Sequence, residues 1–298
     1  DLIYDNYVPI LSFSPHDNSA DYPFVNPDDM KRVLYDLVFP DKCDSFFQKQ
    51  YKRISVTGEI KSEDYSNSEK EYGNNNNLDD ENEDDRKKEW LGKINKIIFR
   101  GKGTGCGLNE DNNIRLKVHK MSEKYPNILD TGIVDKNRRM KKHEGQELNF
   151  LKEDIKLKDF MKMEEQNKFK YHLVLDGHAA AYRLAGMFSM NVLVFIPKSK
   201  YRIWMSHLIE PGVHYIELEE DLSNIIEKWE WCEKNQDKCY EIIKNGNEVF
   251  KNHLGIDGIL DYSQKVMMKL SGMMSDNFMK EEKERSGLKV LIGSIYRD

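Results

Sequence analysis

The stretch "LVLDGHAAAYRLAG", residues 173–186, decides the fold. An apolar run suited to a buried strand ends in Asp-Gly. His, three alanines, Tyr and Arg follow at the spacing of a starting helix, which makes a strand–turn–helix joint. Two readings of the alanines fit equally. They let a helix pack closely on a sheet, or they clear room for a ligand. In the second reading His178, Ala179, Ala180 and Ala181 form the first helical turn. Its unpaired N–H groups then face a diphosphate. Arg183 reaches a phosphate oxygen, and Asp176 orients Arg183 or binds a sugar hydroxyl.

Further apolar runs lie on either side of this joint. "KIIFRG" (96–101) precedes it; "NVLVFIP" (191–197) and "VHYIEL" (213–218) follow. Helical patterns separate them: "AAAYRLAGMFS", "YRIWMSHLI" and "DLSNIIEKWEWCEKN". Strands alternating with helices predict an α/β fold with a parallel, Rossmann-like sheet. "DKCYEIIKNGNEVFKNHL" and "DGILDYSQKVMMKLSGMM" read as two more amphipathic helices.

Two other joints carry polar chemistry. "FRGKGTGCG" (99–107) has four glycines in seven positions, with Arg100 and Thr104 beside them. Backbone N–H groups there can approach an anion. A flexible loop is the competing reading. The stretch lacks the "GK[ST]" ending of a P-loop, and no helix is read directly after it. "IEPGVHYIELEEDLSN" (209–224) ends a strand in an acidic loop. Glu217, Glu219 and Glu220 are candidates to meet ribose or sugar hydroxyls, and His214 is a further site candidate. Asp221 is a further candidate, but capping the next helix explains it fully.

The 298 residues suffice for two ordinary domains or one large one. Residues 1–57 read as part of an N-terminal domain. They carry a strand in "VPILSFS" (8–14) and a helix in "NPDDMKRVLYDLVF" (26–39) with Asn26 as N-cap. Residues 58–88, rich in Asn and acidic side chains, read as a disordered or exposed insert. "DDENEDD" within it lacks the rigidity that a metal site needs. Residues 89–264 form the ligand-binding domain and 265–286 a C-terminal helix. "GLKVLIGSIYRD" (287–298) reads as the first strand of a further domain, so the chain is expected to be a piece cut at both ends.

A net charge of −6 argues against general nucleic-acid affinity. The basic run "KNRRMKKHEG" (136–145) reads as a solvated loop, with a local basic patch as the alternative. Cys43, Cys106, Cys232 and Cys239 match no zinc spacing. On one straight helix Cys232 and Cys239 stand about 10 Å apart, too far for a disulfide. No stretch approaches the roughly 20 apolar residues of a membrane span. No signal-peptide core opens the chain, which by itself suggests the cytoplasm. Oligomeric state leaves no mark in the sequence.

The ordered set of "PILSFS" with "DYPF", "INKIIFRG" with "TG", "KFKYHLVLDGHAAAYRL", "EPGVHYIELEEDLSN" and "GNEVFKNHL" resembles glycosyltransferase family 90. This is the capsule-associated and Rumi-type protein O-glucosyltransferase group, also described as lipopolysaccharide-modifying. The resemblance implies a GT-B-like pair of Rossmann-like domains, the N-terminal one incomplete here. It implies inverting transfer of a glucose- or xylose-class sugar from a UDP-sugar to a hydroxyl of a protein or glycan. By similarity the donor site uses Arg100, Gly101, Thr104, Asp176, Gly177, His178, Ala179, Ala180, Ala181 and Arg183. It implies no metal motif and no cofactor beyond the donor substrate, and a secretory-pathway lumen as the alternative location. Lys102 and Gly103 follow the capsule-associated branch rather than the protein-glucosylating one. The resemblance implies a general-base Asp in an "RDYP"-like segment that would fall before Asp1; Asp5, His16 and Asp17 are the nearby substitutes. The Asn-rich insert suggests an AT-rich genome, such as that of a large DNA virus or a protist. Two other functions compete with transfer: binding of a nucleotide sugar or glycan without turnover, and a non-enzymatic interaction module.

Overall fold

The computed structural model describes residues 11–12, 22–25, 29, 83–105, 107, 110–135, 141–143, 146–148 and 155–273. Two short strands, β1 (Leu11–Ser12) and β2 (Tyr22–Pro23), pair in parallel. Then follow α1 (Glu83–Leu91), β3 (Ile94–Lys102), α2 (Ile114–Lys124) and β4 (Leu129–Asp135). A hairpin of β5 (Lys141–His143) and β6 (Gln146–Leu148) comes next, then α3 (Met163–Gln166) and β7 (Phe169–Leu173). The rest of the described chain holds α4 (Leu184–Phe188), β8 (Leu193–Pro197), a 3-10 turn (Ser206–Leu208), β9 (Ile216–Leu218), α5 (Ile225–Lys234), α6 (Gln236–His253) and α7 (Ile256–Met273).

Five strands form one parallel sheet in the order β4-β3-β7-β8-β9, the α/β architecture expected. Alternation along the central strands feeds two cores. Tyr171, Leu173, Leu193 and Phe195 join the cluster that contains Trp90, Val118 and Ile225. Val174 and Val194 join the one built on Leu184, Phe188, Trp204 and Phe250. The sheet is therefore covered on both faces, as a parallel sheet requires. Trp90 is fully buried, donates its indole N–H to the Lys170 carbonyl at 3.3 Å and meets Tyr171 edge-on. A side chain of that size contributes on the order of 3 kcal/mol by leaving water.

Several expectations need correction. Residues 178–181 are not helical; α4 begins only at Leu184, with Arg183 at its N-cap. The expected helix 201–209 is a single 3-10 turn. A helix does follow the glycine-rich loop: α2, capped by Asn113, whose side-chain oxygen accepts from the Arg115 and Leu116 N–H groups. Strand β4 was missed because Asp130, Thr131 and Asp135 interrupt the apolar residues of "LDTGIVD". Thr131 is nonetheless fully buried there, its hydroxyl donating to the Val118 carbonyl at 2.6 Å. The basic run expected as a loop carries strand β5.

Asp221 does not cap α5; Asn224 holds that position, and Asp221 instead accepts from the Ser223 N–H at 2.9 Å. The acidic insert turns helical at Glu83, where Arg86 donates to the Asn247 side chain and Lys244 pairs with Glu83. Helix α7 runs unbroken from Ile256 to Met273, across residues 264–265. Cys232 and Cys239 do not share one helix. Asn235 ends α5, α6 starts at Gln236, and both thiols are free and fully buried. The "DDENEDD" run before Glu83, the helix at 26–39 other than Asp29, Cys43, Cys106 and everything after Met273 lie outside the described residues.

Candidate functional site

Chain order locates the site. From β3 the chain moves to β4 on one side, then returns to place β7 on the other side of β3. At such a switch point the connections diverge, and a crevice opens beyond the carboxyl ends of the two strands. A cavity of about 830 Å³ lies there and extends over the ends of β8 and β9. Its floor includes Gly105, Val174, Asp176 and Gly177, and Ala180 and Ala181 form one wall.

The alanine joint is a fixed loop. The Gly177 N–H donates to the Ala179 carbonyl at 2.9 Å. Both Asp176 carboxylate oxygens are engaged: one accepts from the Ala181 N–H at 2.9 Å, the other from the Ser199 hydroxyl. Ser199 in turn accepts from the Tyr201 N–H at 3.0 Å, and the Tyr201 hydroxyl donates to the His178 carbonyl at 3.4 Å. Asp176 thus ties the alanine loop to the loop after β8.

The expected site residues divide into two groups. Asp176, Gly177, Ala180, Ala181, Glu217 and Asp221 line the cavity, as does Glu220. Arg100, Gly101, Thr104, His178, Ala179, Arg183 and His214 do not. Arg100 is buried and turned to Asp130, with its guanidinium 2.6 Å from the carbonyl and 2.8 Å from the carboxylate. Gly101 lies within β3, paired with Ile133. Arg183 donates to the Arg100 carbonyl at 2.8 Å and lies over the Phe99 ring. The Thr104 hydroxyl accepts from Arg115 at 2.7 Å. His214 Nδ1 accepts from the Glu210 N–H at 2.9 Å. Asp5, His16 and Asp17 lie outside the described residues.

Sequence reasoning missed the loop "KSKYR" (198–202), all of which borders the cavity, and Lys117 on α2. Three cationic side chains in five positions after an apolar strand was the available signal. The cavity consequently carries both signs of charge; Glu110, Asp111 and Lys117 line it from the α2 side. Lys198, Lys200 and Arg202 come from the β8 loop; Glu217, Glu220 and Asp221 come from the β9 end. Bonds from Ser223 hold the Asp221 carboxyl below its usual range. Burial, with help from Glu217, raises the Tyr215 phenol at the same end. Lys198 is already paired with Glu219 at 2.9 Å, an exposed contact of little energetic weight. Among the described residues no three His, Cys, Asp or Glu side chains are grouped to hold a metal ion. Nor is any described helix long and apolar enough to cross a membrane.

Arg115 was missed as well. Its guanidinium is buried beneath the cavity floor and donates from all three nitrogens to the ends of β3 and β7. The Asn-Asn before an apolar helical spacing would have revealed α2, though not the direction of this side chain.

Comparison with known proteins adds to this geometry. The chain is 36% identical over 203 residues to the uncharacterized protein 179R of Invertebrate iridescent virus 6, covering 61% of this chain and 17% of that protein. It is 27% identical over 202 residues to protein O-glucosyltransferase 2 of Danio rerio, covering 68% and 37%. Against protein O-glucosyltransferase 1 of Homo sapiens the identity is 28% over 188 residues, covering 63% and 44%. The match thus spans less than half the length of each of these relatives. The model of glycosyl transferase family 90 matches residues 72–290, which take in the whole five-stranded sheet and every residue of the cavity. This chain, with its switch-point cavity, belongs to glycosyl transferase family 90.

Proposed function

We propose that the protein transfers a sugar from a UDP-sugar to a hydroxyl group of a protein or glycan, with inversion at the anomeric carbon. Family membership supports glycosyl transfer, and the names of the O-glucosyltransferase relatives favour glucose over xylose. The observation that carries the reading is the cavity at the carboxyl ends of β3, β7, β8 and β9, lined by both cationic and acidic side chains. A nucleotide sugar has an anionic diphosphate and hydroxyl-rich sugars. Lys200 and Arg202 suit the first, and Glu217 and Glu220 suit the second.

In the reaction the acceptor oxygen attacks the anomeric carbon and the bond to the UDP oxygen breaks. A carboxylate base removes the acceptor proton. Cationic side chains fixed in place before the reaction stabilise the departing diphosphate. The base belongs to a second, GT-B-like domain facing this sheet. Neither oxygen of Asp176 is available for that role, because both hold loops.

Calorimetric titration tests the reading. UDP and UDP-glucose should bind the chain, and uridine should bind far more weakly. Arg202→Ala should cost about tenfold in UDP affinity, the worth of one lost charge-assisted contact. Chelation of divalent metal should leave binding and transfer unchanged, because side chains and not a metal meet the diphosphate. Absence of UDP binding by the folded chain would remove the proposal.

A further inference from the structure

Beneath the cavity floor, in the crevice between β3 and β7, lies one guanidinium. Arg115 projects from the first turn of α2 and is 7% exposed. Its Nε donates to the Asp176 carbonyl at 2.8 Å, and one Nη donates to the Leu175 carbonyl at 2.7 Å. The other Nη donates to the Lys102 carbonyl at 3.0 Å and the Thr104 hydroxyl at 2.7 Å. Two of these partners lie at or just past the end of β3 and two just past the end of β7. The strands themselves pair in register only as far as Ile98 with His172. Beyond that point Arg115 supplies the bonds that the diverging backbones no longer exchange.

The surroundings are shaped to admit it. A Cβ on Gly177 would stand 2.6 Å from the Thr104 hydroxyl and 3.2 Å from the Arg115 guanidinium. The guanidinium also lies over the Phe99 ring, 5.5 Å from its centroid. None of its bonds ends on a carboxylate. Burial and the neighbouring Arg183 lower its pKa to about 10, so it remains charged at neutral pH.

We propose that Arg115 is a positioning residue that bridges the switch-point crevice, fixing the ends of β3 and β7 so that Gly105, Asp176 and Gly177 form a rigid floor for the anionic ligand. The ligand part of this statement rests on the function proposed above; the bridge does not. Lysine cannot replace arginine here. One ammonium on a flexible stem cannot span four acceptors that a planar fork reaches at once.

Amide hydrogen exchange of the whole chain, read by mass spectrometry, separates the two parts. In Arg115→Met and Arg115→Lys, exchange across 102–105 and 174–181 should rise by about tenfold or more, while α6 keeps its protection. Unchanged exchange in those segments would overturn the proposal, as would a uniform rise over the molecule. If neither variant folds, nitrogen-15 spectra of the intact protein decide. A bridging Arg115 should show hindered rotation about its Cζ–Nη bonds, and a freely rotating guanidinium would overturn the bridge. A UDP titration of the same samples tests the ligand part. Both variants should bind UDP at least about tenfold more weakly than the unaltered chain. Failure of the unaltered chain to bind UDP would defeat the functional reading and leave the exchange result standing.

Discussion

His172 sits in the middle of β7 with no exposed surface. Its Nε2 lies 2.9 Å from the Gln166 carbonyl, so that nitrogen carries the proton, and Nδ1 has no partner. Burial, reinforced by Lys93 and Arg183, lowers its pKa from 6.5 to about 3. Above pH 6.5 both folded and unfolded chains hold the ring neutral. As pH falls below 6.5 only the unfolded chain takes the proton, so stability drops toward pH 3 by about 1.4 kcal/mol per unit at most. Urea midpoints at pH 7.5 and pH 5 should therefore separate more for the unaltered chain than for His172→Phe. Asp176 offers a second test at this scale. Asparagine can keep an oxygen for the Ala181 N–H and turn its amide toward the Ser199 oxygen. Thermal unfolding should thus show Asp176→Asn near the unaltered chain and Asp176→Ala less stable by about 1–3 kcal/mol.

At the scale of elements, legibility followed apolar content. The strands "KIIFRG", "NVLVFIP" and "VHYIEL" were readable because continuous apolar runs are what a doubly covered parallel sheet demands. Strand β4 was not, because Asp130, Thr131 and Gly132 satisfy their polarity through neighbours that sequence order does not reveal. Thr131 meets the Val118 carbonyl and Asp130 meets Arg100. For the same reason Arg100 reads as a ligand contact in sequence and is an ion-pair partner in the fold. Helices α6 and α7 were legible from their apolar stripes; α4 was overextended because three alanines carry high helix propensity, while Asp176 draws the Ala181 N–H into a loop instead.

The break between α5 and α6 has its own test. With Asn235 between them, Cys232 and Cys239 are fully buried, and the neighbouring thiol and burial push the Cys232 pKa up. Neither should be alkylated in the native chain at pH 8, and both should be alkylated in urea, as peptide mapping would show. The turn entering α5 holds Leu222 at φ 61° with its side chain fully buried. Leu222→Gly relieves about 1 kcal/mol of strain and forfeits about 2–3 kcal/mol of burial. Denaturant titration should find the variant less stable.

For the molecule as a whole, the cavity belongs to the topology more than to any one motif. Loops from β3, β7, β8 and β9 meet only because the sheet is ordered β4-β3-β7-β8-β9. Hence parts of the glycine and alanine joints, Gly105, Gly177, Ala180 and Ala181, were legible as cavity-lining, while the basic loop after β8 and Arg115 were not. Their importance depends on which strands become neighbours. The N-terminal segment is tied to the same body: the Trp204 indole donates to the buried Asp29 carboxylate at 2.9 Å, and the Tyr262 hydroxyl donates to the Pro23 carbonyl at 2.8 Å.

The glycines carry this organisation into heredity. A Cβ at Gly177 would collide with Thr104, and one at Gly246 would stand 2.8 Å from the Phe188 ring. At Gly212 a Cβ would meet nothing, and only its φ of +76° disfavours other residues. In a library of random variants sorted for folded protein, codons 177 and 246 should therefore stay almost invariant. Codon 212 should admit asparagine and aspartate, which tolerate the left-handed region. Invariance at codon 177 would mark the seam between β3 and β7, and at codon 246 the packing of α6 on α4, without any ligand being present.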